Sequence, residues 1–347
     1  MMRNLPQLTS IVQRNCDISD ARHAGDYGLC TFLLKMREYY RWENELPFTR
    51  TLPKDELGDW LRARERAWDR IEADEFAPLP LARGELDPFD AEGANRELLP
   101  QGCVYSAGFG RMRKPVFFLG RLLRVEERGD VTIRISSCEY ARELAAPPAM
   151  LQGRTIFVRL ESVRRYLWEK IEEHQWRKQG NAMARALASY DFVADTENAL
   201  QRMADNEVET MILHELGEAM AGELLGEAWG DMALSVSCSR GEPVVRAVRD
   251  LLADCLSTLP VLLARANLPA LHFYFATFDA PRRLLFPQAL DAYGNFLRCG
   301  SLERLGQVVR EGKERWLATA RELVALSPAA REPAMESLLP PSARRAS

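Results

Sequence analysis

Glu207, His214 and Glu218 have the residue types and the spacing of a metal-binding cluster. They lie in the segment EVETMILHELGEAMAGELL, residues 207–225. At about 100° per residue, the three side chains fall within about 40° of one another on one face of a helix. Most of the remaining circumference is apolar, which indicates a buried helix whose charged groups need partners or a metal ion. His214 and Glu218, four residues apart, can bind one cation from successive turns.

A second helix, predicted over residues 244–259, adds two carboxylates to this region. Asp250 and Asp254 share one face of that helix. The connection between the two helices is short, so they can pack antiparallel with Asp254 or Asp250 facing His214, as metal sites in helical bundles are built. We predict Asp254 as the third metal ligand. For Asp250, an ion pair with Arg246, four residues earlier, is an equally strong alternative.

The sequence HELGE at 214–218 resembles the helix of zincin metalloproteases, which reads H-E-x-x-H. The resemblance implies that His214 is a metal ligand, that Glu215 is the general base acting on a metal-bound water, and that Glu218 is the second ligand. Glu218 replaces the second histidine of the pattern. A carboxylate in place of an imidazole shifts the preference from zinc toward manganese, iron or magnesium. We therefore expect a divalent metal (Mn, Fe, Zn or Mg) as the cofactor and hydrolysis as the reaction.

The competing interpretation gives the same residues a structural role. Carboxylates can satisfy a buried histidine without a metal ion, since structural ion pairs cluster in the same way. The protein would then be a non-enzymatic interaction or scaffold protein, and the aromatic helix from Phe32 to Trp42 would bind a protein partner. A third interpretation places an anion or nucleotide at a basic sheet from Arg111 to Arg124. His272, among aromatic residues, is interpreted as a packed core residue.

The helices that must position these residues follow from hydrophobic periodicity. A long helix that Asp191 or Asp195 would cap is predicted to run to about Leu225. Further amphipathic helices are predicted where apolar residues recur every three or four positions, over residues 26–43, 54–73, 242–258, 286–298 and 301–326.

The region between the first helices and the later ones has a different pattern. Residues 103–137 predict antiparallel strands, with a further short strand over 154–158. Residues 76–100 are rich in proline, have little periodicity and predict a linker. The predicted fold is therefore α+β and predominantly α. Its parts are a helical N-terminal region (1–100), a small antiparallel sheet (101–160), a helical bundle with the candidate metal site (161–326) and a disordered tail (327–347).

Composition narrows the classes of partner. The 347 residues include 46 Lys and Arg against 50 Asp and Glu, and a net charge of −4 argues against a dedicated nucleic-acid binder. The longest apolar runs are far shorter than the ~20 residues of a membrane span, so no membrane partner is expected. Seven cysteines occur singly, which predicts reduced thiols and a cytoplasmic protein. The expected partner is a small molecule or another protein.

Four segments are familiar as a set. LCTFLLKMREYYRWE, RKPVFFLGRL, HELGE and RDLLADCLSTL, in this order, resemble an uncharacterised bacterial protein family of unknown function. The resemblance spans most of residues 20–300. It implies a shared architecture and a bacterial origin, and it implies no activity.

Overall fold

A computed structural model describes residues 4–110, 113–177, 181–236 and 241–340. The chain divides into two compact units, Met1–Trp168 and Glu169–Ser347. The fold is α+β and predominantly α, which confirms the predicted class. No helix in the described ranges combines the length and the apolar composition that crossing a membrane requires.

The N-terminal unit contains helices and two sheets. Its elements are α1 (Leu5–His23), α2 (Leu29–Glu43), α3 (Lys54–Asp69), β1 (Leu79–Leu81), β2 (Gly84–Leu86), α4 (Ala91–Leu98), β3 (Cys103–Phe109), β4 (Pro115–Arg128), β5 (Val131–Arg142), β6 (Ala149–Gln152) and β7 (Thr155–Arg159), followed by α5 (Leu160–Arg177). The stretch predicted as a linker over 76–100 therefore contains two paired strands and a helix. It is ordered because Leu79, Ala94 and Leu98 are buried in the core of this unit.

The larger sheet has the strand order β3-β4-β5-β7-β6. Its neighbours are antiparallel except β5 and β7, which are parallel, so the prediction of a purely antiparallel sheet is wrong at this pair. After β5 the chain passes to the edge of the sheet and forms β6. The chain then reverses at a turn that contains Gly153, whose φ is +58°, and forms β7. This strand lies between β5 and β6 and runs parallel to β5. This turn needs the left-handed conformation that glycine adopts readily.

Helix α1 packs on the sheet through paired polar groups. The Asp20 carboxylate accepts from the Leu144 N–H at 2.7 Å and from Lys114 Nζ at 2.5 Å. The Gln13 side chain exchanges two hydrogen bonds with the backbone of Arg142, each 3.1 Å long. Because Asp20, Lys114 and Arg142 are buried and Gln13 is half-buried, leaving any of these groups unpaired would be costly, and the pairs therefore fix the position of the helix.

The aromatic residues of α2 belong to the core of the N-terminal unit. Tyr39 is fully buried, and its ring lies 5.3 Å from that of Trp42. The Tyr40 ring meets the Trp60 ring of α3 edge-on, also at 5.3 Å between centroids. The rings of Tyr39, Tyr40 and Trp42 are thus used for packing within the unit, whereas the partner predicted for the helix from Phe32 to Trp42 stays a prediction.

The C-terminal unit is helical throughout its described ranges. Its elements are α6 (Asn181–Leu187), α7 (Thr196–Leu225), α8 (Glu227–Ser235), α9 (Glu242–Ala253), a π-helical turn (Asp254–Thr258), α10 (Leu259–Ala264), α11 (Leu268–Ala276), α12 (Ala280–Leu285), α13 (Pro287–Cys299), α14 (Glu303–Ala325) and α15 (Pro328–Leu338). One large apolar cluster from α7 to α15 forms its core.

Helix α7 has the ends that its sequence predicts. The Asp195 side chain accepts a hydrogen bond from the Asn198 N–H at 3.1 Å and caps the first turn. At the other end Gly226 has a φ of +69°, and the helix ends at Leu225.

Part of the tail that the composition predicts to be disordered is a helix. Helix α15 begins at Pro328, in a position where proline costs no hydrogen bond, and Met335 is buried against the core of the C-terminal unit. Apolar contacts on one face therefore stabilise the helix, although the proline, alanine and serine content of this segment predicts disorder. Residues 341–347 lie outside the described ranges.

Candidate metal centre

The backbones of α7 and α9 approach each other so closely that a side chain cannot fit between them. A Cβ atom on Gly217 would lie 2.3 Å from the Ala253 carbonyl oxygen and 2.8 Å from its carbonyl carbon. The glycine of the HELGE segment is therefore a packing requirement. The close approach brings His214, three residues before Gly217, beside Asp254, the residue after Ala253.

Asp254 begins the π-helical turn that follows α9. Pro260 lacks the N–H that an α-helix would bond to the Leu256 carbonyl, and its ring would crowd that carbonyl, so regular helix geometry is disfavoured here. Single π turns within helices occur frequently at functional sites. On another side of this turn, a Cβ atom on Gly312 of α14 would lie 2.9 Å from Cys255 Sγ. Glycines on two helices thus make room for the turn.

The Asp254 carboxylate holds the His214 ring by one nitrogen. Its Oδ1 lies 2.8 Å from His214 Nδ1, and because a carboxylate only accepts, the ring donates from Nδ1. The Oδ2 atom accepts from Tyr274 Oη at 2.8 Å and from Arg282 Nη1 at 3.2 Å. Asp254 is buried, and each of its oxygens has a partner. The His214 Nε2 atom is the ring nitrogen that remains for another ligand.

Two further carboxylates, those of Glu218 and Asp250, lie near the His214 ring. Glu218 Oε1 is 3.4 Å from His214 Nε2. One ligand atom each from His214, Glu218 and Asp250 can be chosen so that all lie within 4.8 Å of one another. Ligands on one ion, with bonds of about 2.0–2.2 Å, stand roughly 3–4 Å apart, so small side-chain movements suffice for coordination. One nitrogen and two oxygens thus converge on a point that an ion can share.

Arg249 lies at the same carboxylates. Its Nη2 atom is 2.9 Å from Glu218 Oε1 and 3.3 Å from Asp250 Oδ1. The Nε atom of this guanidinium is buried and has no hydrogen-bond partner. A positive group from the chain itself therefore lies between the two carboxylates that would bind a metal ion.

The charges shift one another's ionisation. Burial lowers the pKa of His214, but the Asp254 and Glu218 carboxylates outweigh it and raise this pKa well above its usual value. Burial raises the pKa of Glu218, but Arg249 and His214 reverse the effect and lower it. Burial raises the pKa of Asp254 as well, but its neighbours, mainly His214, outweigh this effect and lower the pKa. Burial prevails at Asp250 and raises its pKa, although Arg249 opposes this.

Two family models match the chain. Residues 7–159 match the N-terminal domain, and residues 164–340 the C-terminal domain, of the family described as "Family of unknown function (DUF6866)". The chain belongs to the DUF6866 family. This confirms the family resemblance of the four segments, whereas the bacterial origin stays a prediction. No curated protein and no solved structure matches the chain. The whole His214 cluster lies within the DUF6866 C-terminal domain.

The structure of this DUF6866 protein brings the predicted ligands together, but the contacts between them differ from the predicted ones. His214, Glu218 and Asp254 meet, but Asp254 binds the Nδ1 atom, Glu218 lies at the Nε2 atom, and Asp250 joins the group that could hold an ion. Arg246, the alternative partner for Asp250, pairs with Glu242 at 2.5 Å, and Arg249 lies 3.3 Å from Asp250 Oδ1.

Glu207 and Glu215 lie outside the convergent group. Glu207 is buried two turns before His214, where burial raises its pKa to about 8 against a side-chain hydrogen bond from Asn206. Glu215 is half-buried, and its charge contributes to raising the pKa of Arg249. It thus lies near the guanidinium, and its assignment as a general base stays a prediction.

Arg249, Tyr274 and Arg282 are the members of the cluster that sequence reasoning missed. Arg249 precedes Asp250 directly, and an arginine beside a candidate ligand is a signal that could have been used. Tyr274 and Arg282 reach Asp254 from α11 and from α12, and only the tertiary structure shows that these helices meet the π turn. The Arg282 guanidinium also lies 5.2 Å above the Phe278 ring.

The other candidate residues have partners elsewhere. His272 Nδ1 is 2.8 Å from Tyr293 Oη, and its ring lies beside Phe296, in agreement with its interpretation as a packed residue. Of the basic sheet, Lys114 is buried against Asp20. In the same sheet Arg121 donates to Tyr140, Arg124 donates to Glu126, and Arg111 lies outside the described residues.

The contact at Gly217 predicts a position-specific cost of an added methyl group. Gly217→Ala should lower the free energy of unfolding by about 1–3 kcal/mol, because α7 must move away from Ala253. Gly222→Ala, on the same helix with open space around it, should be neutral or stabilise by up to about 1 kcal/mol. Urea unfolding followed by circular dichroism measures both changes. Equal effects of the two substitutions would contradict the packing role of Gly217.

Proposed function

We propose that this protein binds a divalent metal ion through His214 Nε2 and the carboxylates of Glu218 and Asp250, and that it is a metal-dependent hydrolase. The observation that carries the proposal is the convergence of these three side chains, whose ligand atoms lie within 4.8 Å of one another. Asp254, the third ligand in the sequence-based prediction, is assigned here to orienting the ring, because both of its oxygens already have partners.

The contact between Asp254 and His214 supports the proposal. A metal-bound histidine usually donates its other ring N–H to a carboxylate, which fixes the tautomer and the orientation of the ring. Asp254 is in this position at 2.8 Å, and Tyr274 and Arg282 hold the carboxylate in turn. Nε2 is thereby left on the side of Glu218, 3.4 Å from its Oε1 atom.

The donor set and its exposure suit a catalytic ion. An imidazole with two carboxylates fits Mn²⁺ or Fe²⁺, with Zn²⁺ and Mg²⁺ as the other expected ions. Three protein ligands leave coordination positions for water or substrate. The side chains of His214, Glu218 and Asp250 are 26%, 13% and 17% exposed, so each of them is partly accessible to solvent.

A second candidate function, a purely structural cluster in an interaction or scaffold protein, is favoured by charge balance. Three carboxylates (Glu218, Asp250 and Asp254) are matched by three positive groups (Arg249, Arg282 and a protonated His214). Such a cluster needs no metal ion for neutrality. Direct metal-binding measurements separate the two candidates.

Metal binding should be measurable on untagged protein stripped of metal with a chelator. Titration calorimetry with Mn²⁺ and with Zn²⁺ should show one ion bound per chain and a rise in melting temperature. Asp250→Asn and His214→Ala should each weaken binding at least tenfold, because each removes a ligand. Asp291→Asn, an exposed change in the same unit, is the matched control and should bind like the wild type.

Absence of both heat and thermal stabilisation with Mn²⁺, Fe²⁺, Zn²⁺ and Mg²⁺ would exclude the metal function and leave the structural cluster. Circular dichroism identifies any variant that fails to fold. Asp250→Asn removes a half-buried group, so it keeps the test decisive if His214→Ala disturbs the packing around Asp254.

Arg249 should compete with the ion. A cation that binds Glu218 and Asp250 must displace the guanidinium from both carboxylates. Arg249→Gln should therefore tighten Mn²⁺ binding about fivefold, the equivalent of losing an ion-pair interaction of about 1 kcal/mol. Arg310→Gln, on the exposed face of α14, should leave the affinity unchanged. Weaker binding by the Arg249 variant would show instead that the guanidinium supports the ligand geometry.

Glu215 is proposed as the general base because it adjoins the ligand His214 and corresponds to the glutamate of the zincin pattern. Glu215→Gln should bind Mn²⁺ like the wild type and lose metal-dependent hydrolysis of a chromogenic ester or peptide by a factor of about 100 or more. Release of nitrophenol or nitroaniline, compared with that of the Asp291→Asn control, measures the rate. Full activity in Glu215→Gln would assign the base to another group.

We further propose a cytoplasmic location in a bacterium. The support for a reducing compartment is that the described cysteines are all free thiols, with Cys16, Cys103 and Cys255 buried. The bacterial origin rests on the sequence resemblance alone. Fractionation of the source cells, followed by immunodetection, tests the location.

A further inference from the structure

Helix α2 exposes aliphatic side chains in its first two turns. Leu29 is 71% exposed, Leu33 is 44% exposed and Leu34 is 38% exposed, and the exposed Cys30 lies between them in sequence. Single exposed leucines are ordinary, but a contiguous group on one short helical face is typical of binding surfaces. These four residues are called the α2 patch below.

A cavity of about 330 Å³ within the N-terminal unit is lined by Phe32 of the same helix. Its apolar wall is formed by Ala21, Ala24, Phe32 and Trp68. Phe32 comes three residues after Leu29 on the same helix, so the two side chains are neighbours on its surface. The patch therefore continues into the cavity.

The other wall of the cavity is acidic. It contains Glu65, Asp69 and Glu72, which follow one another along α3 and the turn after it. All three are exposed, and none of their carboxylates has an ion-pair partner within the described part of the chain. Glu65 and Asp69 are four residues apart on a helix, where like charges repel each other. A bound cation would relieve that repulsion.

We propose that the α2 patch and the acidic cavity together bind a basic amphipathic helix of a partner protein. The apolar side chains of that helix would cover Leu29 and Leu33, and one of its Lys or Arg side chains would enter the cavity. There the cation would meet the three carboxylates and the faces of Phe32 and Trp68, which attract cations. Helix-in-groove binding of this kind uses apolar anchors three and four residues apart.

The negative charge of the cavity favours a basic helix over other binding partners. An anionic lipid surface would be repelled by Glu65, Asp69 and Glu72, and an acidic peptide would be repelled in the same way. An uncharged apolar helix would cover the α2 patch but leave the carboxylates without partners. The inference is independent of the metal centre, because every residue involved lies in the N-terminal unit.

The test uses a fluorescein-labelled model helix of leucine and lysine with leucines at positions i, i+3, i+4 and i+7. Anisotropy titrations with the full-length protein should show saturable binding that weakens at least tenfold between 50 and 500 mM NaCl. The same peptide with glutamate in place of lysine should not bind. Binding of both peptides with equal affinity would overturn the proposal.

Single substitutions test whether the peptide binds at the α2 patch and in the cavity. Leu33→Ser and Asp69→Asn should each weaken the lysine peptide at least fivefold, since one removes an apolar contact and the other a charge. Their matched controls are Leu123→Ser, an exposed leucine on β4, and Glu75→Gln, an exposed carboxylate outside the cavity. The two controls should bind like the wild type. Equal binding by all four variants would place the peptide elsewhere and overturn the proposal.

Two further outcomes would assign the surface to another occupant and so also overturn the proposal. The first is a wild-type dimer in sedimentation velocity that Leu33→Ser converts to a monomer, because a second copy would then cover the patch. The second is sedimentation of the protein with vesicles of phosphatidylcholine and phosphatidylglycerol, lost in Leu33→Ser. A monomer that ignores vesicles and binds the lysine peptide is the expected result.

Discussion

The close approach of two backbones at Gly217 and Ala253 is the constraint on which the candidate centre depends. An α7 side chain at this point would overlap the Ala253 carbonyl, so any larger residue would push the helices apart. Moving the helices apart would lengthen the 2.8 Å contact between His214 Nδ1 and Asp254 Oδ1. The glycine therefore determines the geometry of the cluster, although it contributes no chemical group itself.

A buried carboxylate at the start of the π turn then dictates what surrounds it. Asp254 loses its hydration in the core, and only several donors can compensate for that loss. His214, Tyr274 and Arg282 supply them from α7, α11 and α12, so three helices are tied to one side chain. The hydrogen bonds that satisfy the buried carboxylate thus also leave His214 Nε2 on the side of Glu218. The structural and the metal-binding interpretations of the cluster therefore differ only in whether a metal ion binds at Nε2.

Helical spacing explains what the sequence could predict and what it could not. The pairing of His214 with Glu218 follows from their spacing, and the extent of α7 from the Asp195 cap to Leu225 follows from capping and periodicity, because these signals are local. The roles of Asp250 and Asp254 depend on a π turn and on contacts with distant helices, which a regular helical projection does not contain. The parallel pairing of β5 with β7 was missed for a similar reason, since the path of the chain between those strands leaves no periodic signal.

The net charge of the His214 cluster would not change if a divalent ion replaced the Nε2 proton and the Arg249 guanidinium. With His214 protonated, the cluster has as many positive as negative groups. A divalent ion at Nε2 would take the place of the Nε2 proton and of the Arg249 guanidinium, which is at the edge of the cluster and has an unpaired Nε. Two positive charges would leave as two arrive, so neither state buries an excess of charge. Arg282 cannot play the same part, because it is more deeply buried against Asp254 and Phe278. The position of Arg249 would therefore keep the cluster balanced in charge both with the proposed ion and without it.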